Sequence, residues 1–250
     1  SVHGRFPAPV AADQASLMVN GERIHMHAWK SPEEWSWTNV DVVIEATGKF
    51  RSKADAEQHL AAGAQKVIIS APSTDDDVKT IVLGVNDNIL DANDTILSNA
   101  SCTTNCAAPM VEVIHELCGI EQAYITTVHS YTGDQRLHDS PHKDLRRARA
   151  GALSIIPTTT GAAKAVTKIF PELEGHMGGC GIRVPVPDGS LTDITFVVKK
   201  ETTTEEVNAA FEQASQGRLK GILDYTTEPL VSVDILGNPF SCIFDSQLTS

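Results

Sequence analysis

The 250 residues carry 32 acidic and 20 basic side chains, a formal net charge of −12, and 41% of them are hydrophobic. That apolar fraction fills one large core or two modest ones, while the acidic balance argues against a nucleic-acid partner, and no run approaches the ~18 apolar residues of a membrane span. The five cysteines, Cys102, Cys106, Cys118, Cys180 and Cys242, are odd in number and fit no disulfide framework, which points to a reducing, cytoplasmic compartment; no Cys-x-x-Cys pair signals a metal site.

The chain opens on Ser1-Val2-His3-Gly4-Arg5-Phe6, with no initiating Met, no apolar signal core and neither a strand nor a helix pattern. Residues 40–46 form an apolar run consistent with a buried strand, ending at Thr47-Gly48. Residues 54–64, rich in Ala, Glu and Gln, read as a helix stopped near Gly63, and residues 66–70 follow as another buried strand closed by Pro72. Strand, helix and strand at this spacing make a βαβ unit and therefore a parallel sheet. Residues 80–83 and 95–98 supply two more strands.

After Cys102 the periodicity changes. Ala107, Met110, Val111, Ile114 and Leu117 recur at helical spacing, so residues 103–118 form an amphipathic helix, followed by a strand over 123–128. Residues 130–149 are polar and basic with weak periodicity; a loop of that length is usually functional. A helix over 161–170 ends at Pro171, and strands over 181–186 and 192–198 are joined by Pro187-Asp188-Gly189, a hairpin-type turn. A last helix covers 204–214, and the final residues, 244–250, stop without a closing element. Parallel units first and hairpins with helices later predict two domains, α/β then α+β, divided as residues 1–101 and 102–250.

Ser101-Cys102-Thr103-Thr104-Asn105-Cys106 lies at a strand-to-helix junction. There the helix dipole and free N–H groups stabilise a thiolate and can hold an oxyanion, although a small buried cysteine would also fit. His129 ends a strand and reads either as the base that activates a thiol or as a hydrogen-bonded structural histidine. His138 and His142 read as solvated. Arg136, Arg146, Arg147 and Arg149 concentrate positive charge in an acidic protein, for an anionic ligand or for surface ion pairs. Thr158-Thr159-Thr160-Gly161 precedes a helix, as a phosphate seat or as ordinary capping. Arg183 sits on an apolar strand and needs an anion or an acid as partner.

These motifs together resemble the phosphorylating glyceraldehyde-3-phosphate dehydrogenases. The resemblance rests on Ser101-Cys102-Thr103-Thr104-Asn105-Cys106, His129-Ser130-Tyr131-Thr132-Gly133-Asp134-Gln135, Asp144-Leu145-Arg146-Arg147-Ala148-Arg149, Thr160-Gly161-Ala162-Ala163-Lys164 and Arg183-Val184-Pro185. Ser1-Val2-His3-Gly4 and Ala46-Thr47-Gly48 also match the family's nucleotide domain. The resemblance implies that residues 1–101 are the remainder of an NAD-binding domain with a partial Rossmann-type parallel sheet. Residues 102–250 would be a catalytic domain with a mainly antiparallel sheet and helices. It implies Cys102 as nucleophile and His129 as its base. Ser101, Thr103, Thr160 and Gly161 would hold inorganic phosphate; Thr132, Asp134 and Arg147 would shape the site for the substrate's phosphate, with Arg183 shared between both anions. Thr47, Gly48, Ser70 and Ala71 would line the NAD groove, and the long loop with Pro141 would reach a neighbouring subunit's cofactor in a homotetramer. The implied reaction converts glyceraldehyde 3-phosphate, NAD and phosphate to the acyl phosphate through a thioester on Cys102.

The family opens with a strand and a Gly-x-Gly-x-x-Gly turn that seats the pyrophosphate, and no such turn occurs in these 250 residues; its final helical segment is also missing after Ser250. The expectation is therefore a fragment. Two alternatives stand beside the main reading: the same chemistry on erythrose 4-phosphate, and a truncated, non-catalytic binding or interaction module.

Overall fold

The computed structural model describes residues 2–250; Ser1, quoted above, lies outside them. Asn20 and Gly21 both take left-handed backbone, φ 50° and 87°, the geometry of a tight two-residue hairpin. They join β2 (Ser16–Val19) to β3 (Glu22–His25), and β1 (Val10–Ala12) pairs antiparallel with β2. The opening of the chain is therefore a three-stranded meander, which corrects the expectation of an unpatterned start. β1 and β3 are exposed on both faces, so no hydrophobic alternation marks them; the Asn-Gly pair is their only local signal.

β4 (Val42–Glu45), β5 (Lys66–Ile69), β6 (Lys79–Thr80) and β7 (Ile96–Ser98) form one parallel sheet in the order β4-β5-β7-β6. α1 (Lys53–Ala61) starts with a reciprocal cap between Ser52 and Asp55 and buries Ala56 against Val67 and Ile69. Val42 and Ile44 face away and stay 44% and 67% exposed, so β4 is buried on one face rather than both. The strand expected over 80–83 shrinks to Lys79–Thr80. The Asn86 side chain explains why: it accepts from Val82 N–H (2.7 Å) and donates to the Thr80 carbonyl (2.8 Å), so the chain turns instead of extending.

α2 (Cys102–Cys118) is capped by the Ser101 hydroxyl, which accepts from Thr104 N–H. β8 (Ile120–Ser130) follows, then β9 (Ile156–Thr158), α3 (Ala162–Ile169), β10 (Met177–Val184), β11 (Ser190–Val198), α4 (Thr204–Gln216), β12 (Leu223–Thr226) and β13 (Cys242–Asp245). The sheet order is β11-β8-β10-β9. β10 runs parallel to β8, whereas β11 is antiparallel to β8 and β9 to β10, so the sheet is mixed and mainly antiparallel. The expected hairpin at Pro187-Asp188-Gly189 does not exist: β8 lies between the two strands it was to join. Gly189 has φ +81°, and a Cβ there would sit 3.1 Å from the Ser232 carbonyl; the turn packs on that loop and carries the chain past the end of β8.

Val111, Ile114, Ile120, Ile125, Val166, Phe211 and Leu223 form the main core between this sheet and the helices. Phe211 of α4 stacks on Phe244 of β13 at 3.7 Å, and a 3₁₀ turn over Ser246–Leu248 follows. The tail therefore closes on a parallel β12–β13 pair, contrary to the expectation that it lacks a closing element. Among the described residues no helix is long and apolar enough to cross a membrane.

Phe211 is 1% exposed, so Phe211→Ala leaves a large cavity under the stacked pair. Chemical denaturation should show a loss of roughly 3–5 kcal/mol relative to the parent chain.

Candidate catalytic site

Parallel strands place their carboxyl ends on one edge, and the loops leaving that edge are where ligands bind in open α/β sheets. Thr47-Gly48 leaves β4 there, Ser70-Ala71 leaves β5, and Asn99-Ala100-Ser101 leaves β7 to reach Cys102. Register and hydrogen bonds fix the three loops side by side: Glu45 and Ser98 both flank Ile69, Ser70 N–H donates to the Glu45 carbonyl, and Ser98 Oγ donates to the Ala71 carbonyl at 2.8 Å. Gly48 has φ +71° and open space where a Cβ would stand, so a flat ligand can approach its backbone closely. These residues fit a dinucleotide lying along the edge.

Ala100 is buried and has φ +59°, a left-handed conformation that costs an alanine about 1–2 kcal/mol. It turns the chain abruptly from β7 into α2, with Cys102 as the first helical residue. No sequence signal marked Ala100, because an Ala carries no mark of left-handed backbone. Asn105 reinforces the turn by donating to the Asn99 and Ser101 carbonyls, each at 2.9 Å.

Across from the helix start, the parallel register of β8 and β10 sets His129 directly beside Arg183 on the face toward α2. Cys102 Sγ lies 3.3 Å from His129 Nε2. On the other side of the ring, Nδ1 lies 2.8 Å from the Ser130 carbonyl and 2.5 Å from Arg183 Nη1, which also donates to that carbonyl at 3.0 Å. Nδ1 cannot donate and accept at once. Arg183 Nη1 carries two hydrogens and satisfies both neighbours, so Nδ1 accepts and Nε2–H points at the sulfur. Arg183 thus meets a ring nitrogen and a carbonyl, where an anion or an acid was expected.

Cys102 is exposed at the helix start, and its pKa is lowered, above all by the hydrogen bond from His129; burial opposes this, and Thr103 adds its backbone N–H and its hydroxyl. Burial pushes the Cys118 thiol up, and contact with Cys106 pushes Cys242 up. Desolvation lowers the Arg183 pKa, and repulsion from Arg147 lowers it further. Two guanidinium groups close enough to feel each other's charge are complementary to a multiply charged anion.

The loop over 130–149 is held by its own polar contacts. Asp134 pairs with Arg147, which lowers the Asp134 pKa, and Arg147 Nε lies 3.4 Å from Asp144. Thr132 N–H donates to Gln135 Oε1 at 3.2 Å. His142 is not solvated as expected: its side chain is 7% exposed, tucked over Asp134 and capping Asp144 N–H. Thr160 and Gly161 stand at the start of α3, where Thr160 Oγ1 accepts from Ala162 N–H. Pro141 lies apart, exposed, with its carbonyl accepting from Arg136 Nε inside the loop. The structure thus joins Cys102, His129 and Arg183 by contact. Ser101 and Thr103 stand at the same helix start, and Arg147 is within electrostatic reach. No hydrogen bond ties Thr160, Gly161 or Pro141 to that group.

Residues 101–250 match the model of the glyceraldehyde 3-phosphate dehydrogenase C-terminal domain, and residues 1–53 match that family's NAD binding domain. Over 252 residues the chain is 53% identical to glyceraldehyde-3-phosphate dehydrogenase 2 of Streptomyces avermitilis, covering 100% of this chain and 75% of that protein. It is likewise 53% identical to the glyceraldehyde-3-phosphate dehydrogenase of Geobacillus stearothermophilus and 52% identical to glyceraldehyde-3-phosphate dehydrogenase 1 of Bacillus subtilis, at the same coverage.

A limiting amount of iodoacetamide near pH 7 should label Cys102 before the other four thiols, as read by peptide mapping. His129→Asn removes the largest cause of the lowered pKa, so less thiolate exists at that pH and the rate profile moves to higher pH. First labelling of Cys118 or Cys180 would overturn the assignment.

Proposed function

The chain belongs to the glyceraldehyde-3-phosphate dehydrogenase family, and from that membership we propose that it carries the parts that oxidise glyceraldehyde 3-phosphate and phosphorylate the product. The observation that carries this reading is the line from Cys102 through His129 to Arg183 at the edge where the three strand loops meet. Residues 1–101 serve NAD and residues 102–250 serve the aldehyde and phosphate.

The Cys102 thiolate adds to the aldehyde carbon, forming a C–S bond as the C=O π pair moves to oxygen, and the resulting alkoxide takes the proton from His129 Nε2–H. Thr103 N–H and the helix start stabilise that oxygen. His129 Nε2 then accepts the hydroxyl proton. Nε2 is open because it has given its proton to the alkoxide; when an anion draws Arg183 off Nδ1, that nitrogen takes a proton from solvent and donates it to the Ser130 carbonyl, so the ring stays neutral while Nε2 accepts. Thr47, Gly48, Ser70 and Ala71, with Pro141 from a neighbouring subunit, would hold NAD, which would supply the hydride acceptor. The thioester left on Cys102 is attacked by a phosphate oxygen; the C–S bond breaks, the acyl phosphate leaves, and Cys102 returns as thiolate.

Two anions must therefore sit within reach of one carbon. Ser101, Thr103, Thr160 and Gly161 offer hydroxyl and N–H donors to inorganic phosphate. Arg147, oriented by Asp134 and flanked by Thr132, meets the phosphate of the substrate, and Arg183 serves both. Apolar side chains left exposed on the outer face of the mixed sheet and on the loop, Tyr124 (50%), Leu191 (50%), Leu137 (82%) and Leu145 (82%), support burial between subunits of a homotetramer. Five free cysteines and the net charge of −12 suit a cytoplasmic enzyme without nucleic-acid or membrane partners.

Arg183→Leu in the full-length enzyme should lower kcat/KM by about 100-fold or more and raise KM for both phosphate and aldehyde, because a charge-assisted contact to each anion is lost. Unchanged constants for both substrates would show that Arg183 has another task. Steady-state rates should favour NAD over NADP, since Pro141 brings neither N–H nor hydroxyl to a 2′-phosphate; a clear NADP preference would refute that role.

A further inference from the structure

A second buried polar chain stands behind the same sheet edge. Glu45 ends β4 and His59 lies on α1; both side chains are 4% exposed and their Oε2 and Nε2 atoms are 3.1 Å apart. Trp37 Nε1 lies 3.2 Å from His59 Nδ1. An indole N–H only donates, so Nδ1 must accept and Nε2–H must donate to Glu45; the neutral tautomer of His59 is fixed by its partners. Trp35 lies flat on the ring at 3.9 Å and 3°. The remaining Glu45 oxygen, Oε1, accepts from Thr47 N–H at 2.8 Å and Thr47 Oγ1 at 2.5 Å, and Thr47 Oγ1 in turn accepts from Lys49 N–H at 3.1 Å.

The buried carboxylate thus has three donors, and two of them belong to one loop residue. A buried carboxylate this well satisfied is a rigid anchor, because losing any donor leaves desolvated charge. Its anchor point is the turn whose Gly48 backbone stands open to a ligand. We propose that Trp37, His59 and Glu45 are positioning residues that set the Thr47-Gly48 turn for NAD: the orientation of the indole N–H determines the tautomer of His59, which determines the carboxylate that holds the turn. This rests on the reading above that the turn lines the NAD groove. None of the three touches the reacting carbon, so their influence falls on cofactor affinity and not on the thiol chemistry.

The test uses the full-length enzyme with Trp37→Phe, His59→Phe, His59→Gln and Glu45→Gln. Losing one hydrogen bond of the chain should raise KM and Kd for NAD by ~5–30-fold. The constant for the aldehyde and the rate of Cys102 alkylation should stay as in the parent. His59→Gln should recover most of the NAD affinity that His59→Phe loses, since a carboxamide can accept from the indole and donate to the carboxylate. If His59→Phe does not fold, Trp37→Phe still breaks the first link. A lowered Tm with unchanged NAD constants in Trp37→Phe would overturn the proposal. Hydrogen exchange in the parent separates the two levels of the argument: NAD that fails to slow exchange at residues 46–49 sinks the groove reading itself, and the positioning role with it.

Discussion

A sulfur and an imidazole nitrogen 3.3 Å apart impose a constraint that the rest of the chain has to meet. Cys102 is delivered by the end of a parallel strand and His129 by the end of β8, in a different sheet. The contact requires that α2 start where β7 stops and that β8 run long enough to bring its last turn of pleat to the helix N-terminus. Eleven residues of β8 do this, with Ala123, Ile125 and Thr127 buried under the helices and His129 next on the same face. A one-residue slip of β8 would turn His129 to the opposite face, so the core beneath it fixes the chemistry above it.

The same register decides the electrostatics. β10 pairs parallel with β8 in the register that sets Arg183 beside His129, and β8 lies between β10 and β11. In an acidic protein of net charge −12 the positive groups Arg147 and Arg183 are gathered where one is half desolvated and each repels the other. Asp134 and Asp144 offset the charge of Arg147, and an anion beside Arg183 would offset the repulsion and desolvation that remain.

The parallel sheet, the long helix after Cys102 and the positions of Cys102 and His129 at element ends were legible because they depend on local signals, apolar runs and helical spacing, whereas those signals left the tasks of His129 and the arginines open and only the family resemblance suggested them. What the sequence hid was of another kind. The Pro187-Asp188-Gly189 turn looks like a hairpin in isolation, and only the insertion of β8, a strand from much earlier in the sequence, between its flanking strands makes it a crossover. Asn86 stops β6 through side-chain bonds that composition does not announce. The meander over Val10–His25 has no hydrophobic pattern because its strands bury almost nothing, leaving Asn20-Gly21 as its one mark. The left-handed backbone of Ala100 is set by tertiary context against its own preference.

Glu45 and His59 show the same limit from the other side. Read singly, one is the polar end of a strand and the other a histidine on a weakly amphipathic helix; their meaning arises only when α1 folds across β4 and closes the Trp37–His59–Glu45 chain. The two histidines of the edge, His59 buried and His129 partly buried, then differ in one decisive respect. His59 is gripped by a donor and an acceptor that are both fixed, so its tautomer cannot change without breaking the fold around it. His129 is gripped by Arg183, whose long side chain can be drawn off by an anion, and by a thiol that changes charge. A fixed relay behind the Thr47-Gly48 turn and a movable one beside Cys102 suit the tasks proposed for them: the first would hold a surface still, and the second would give and take a proton.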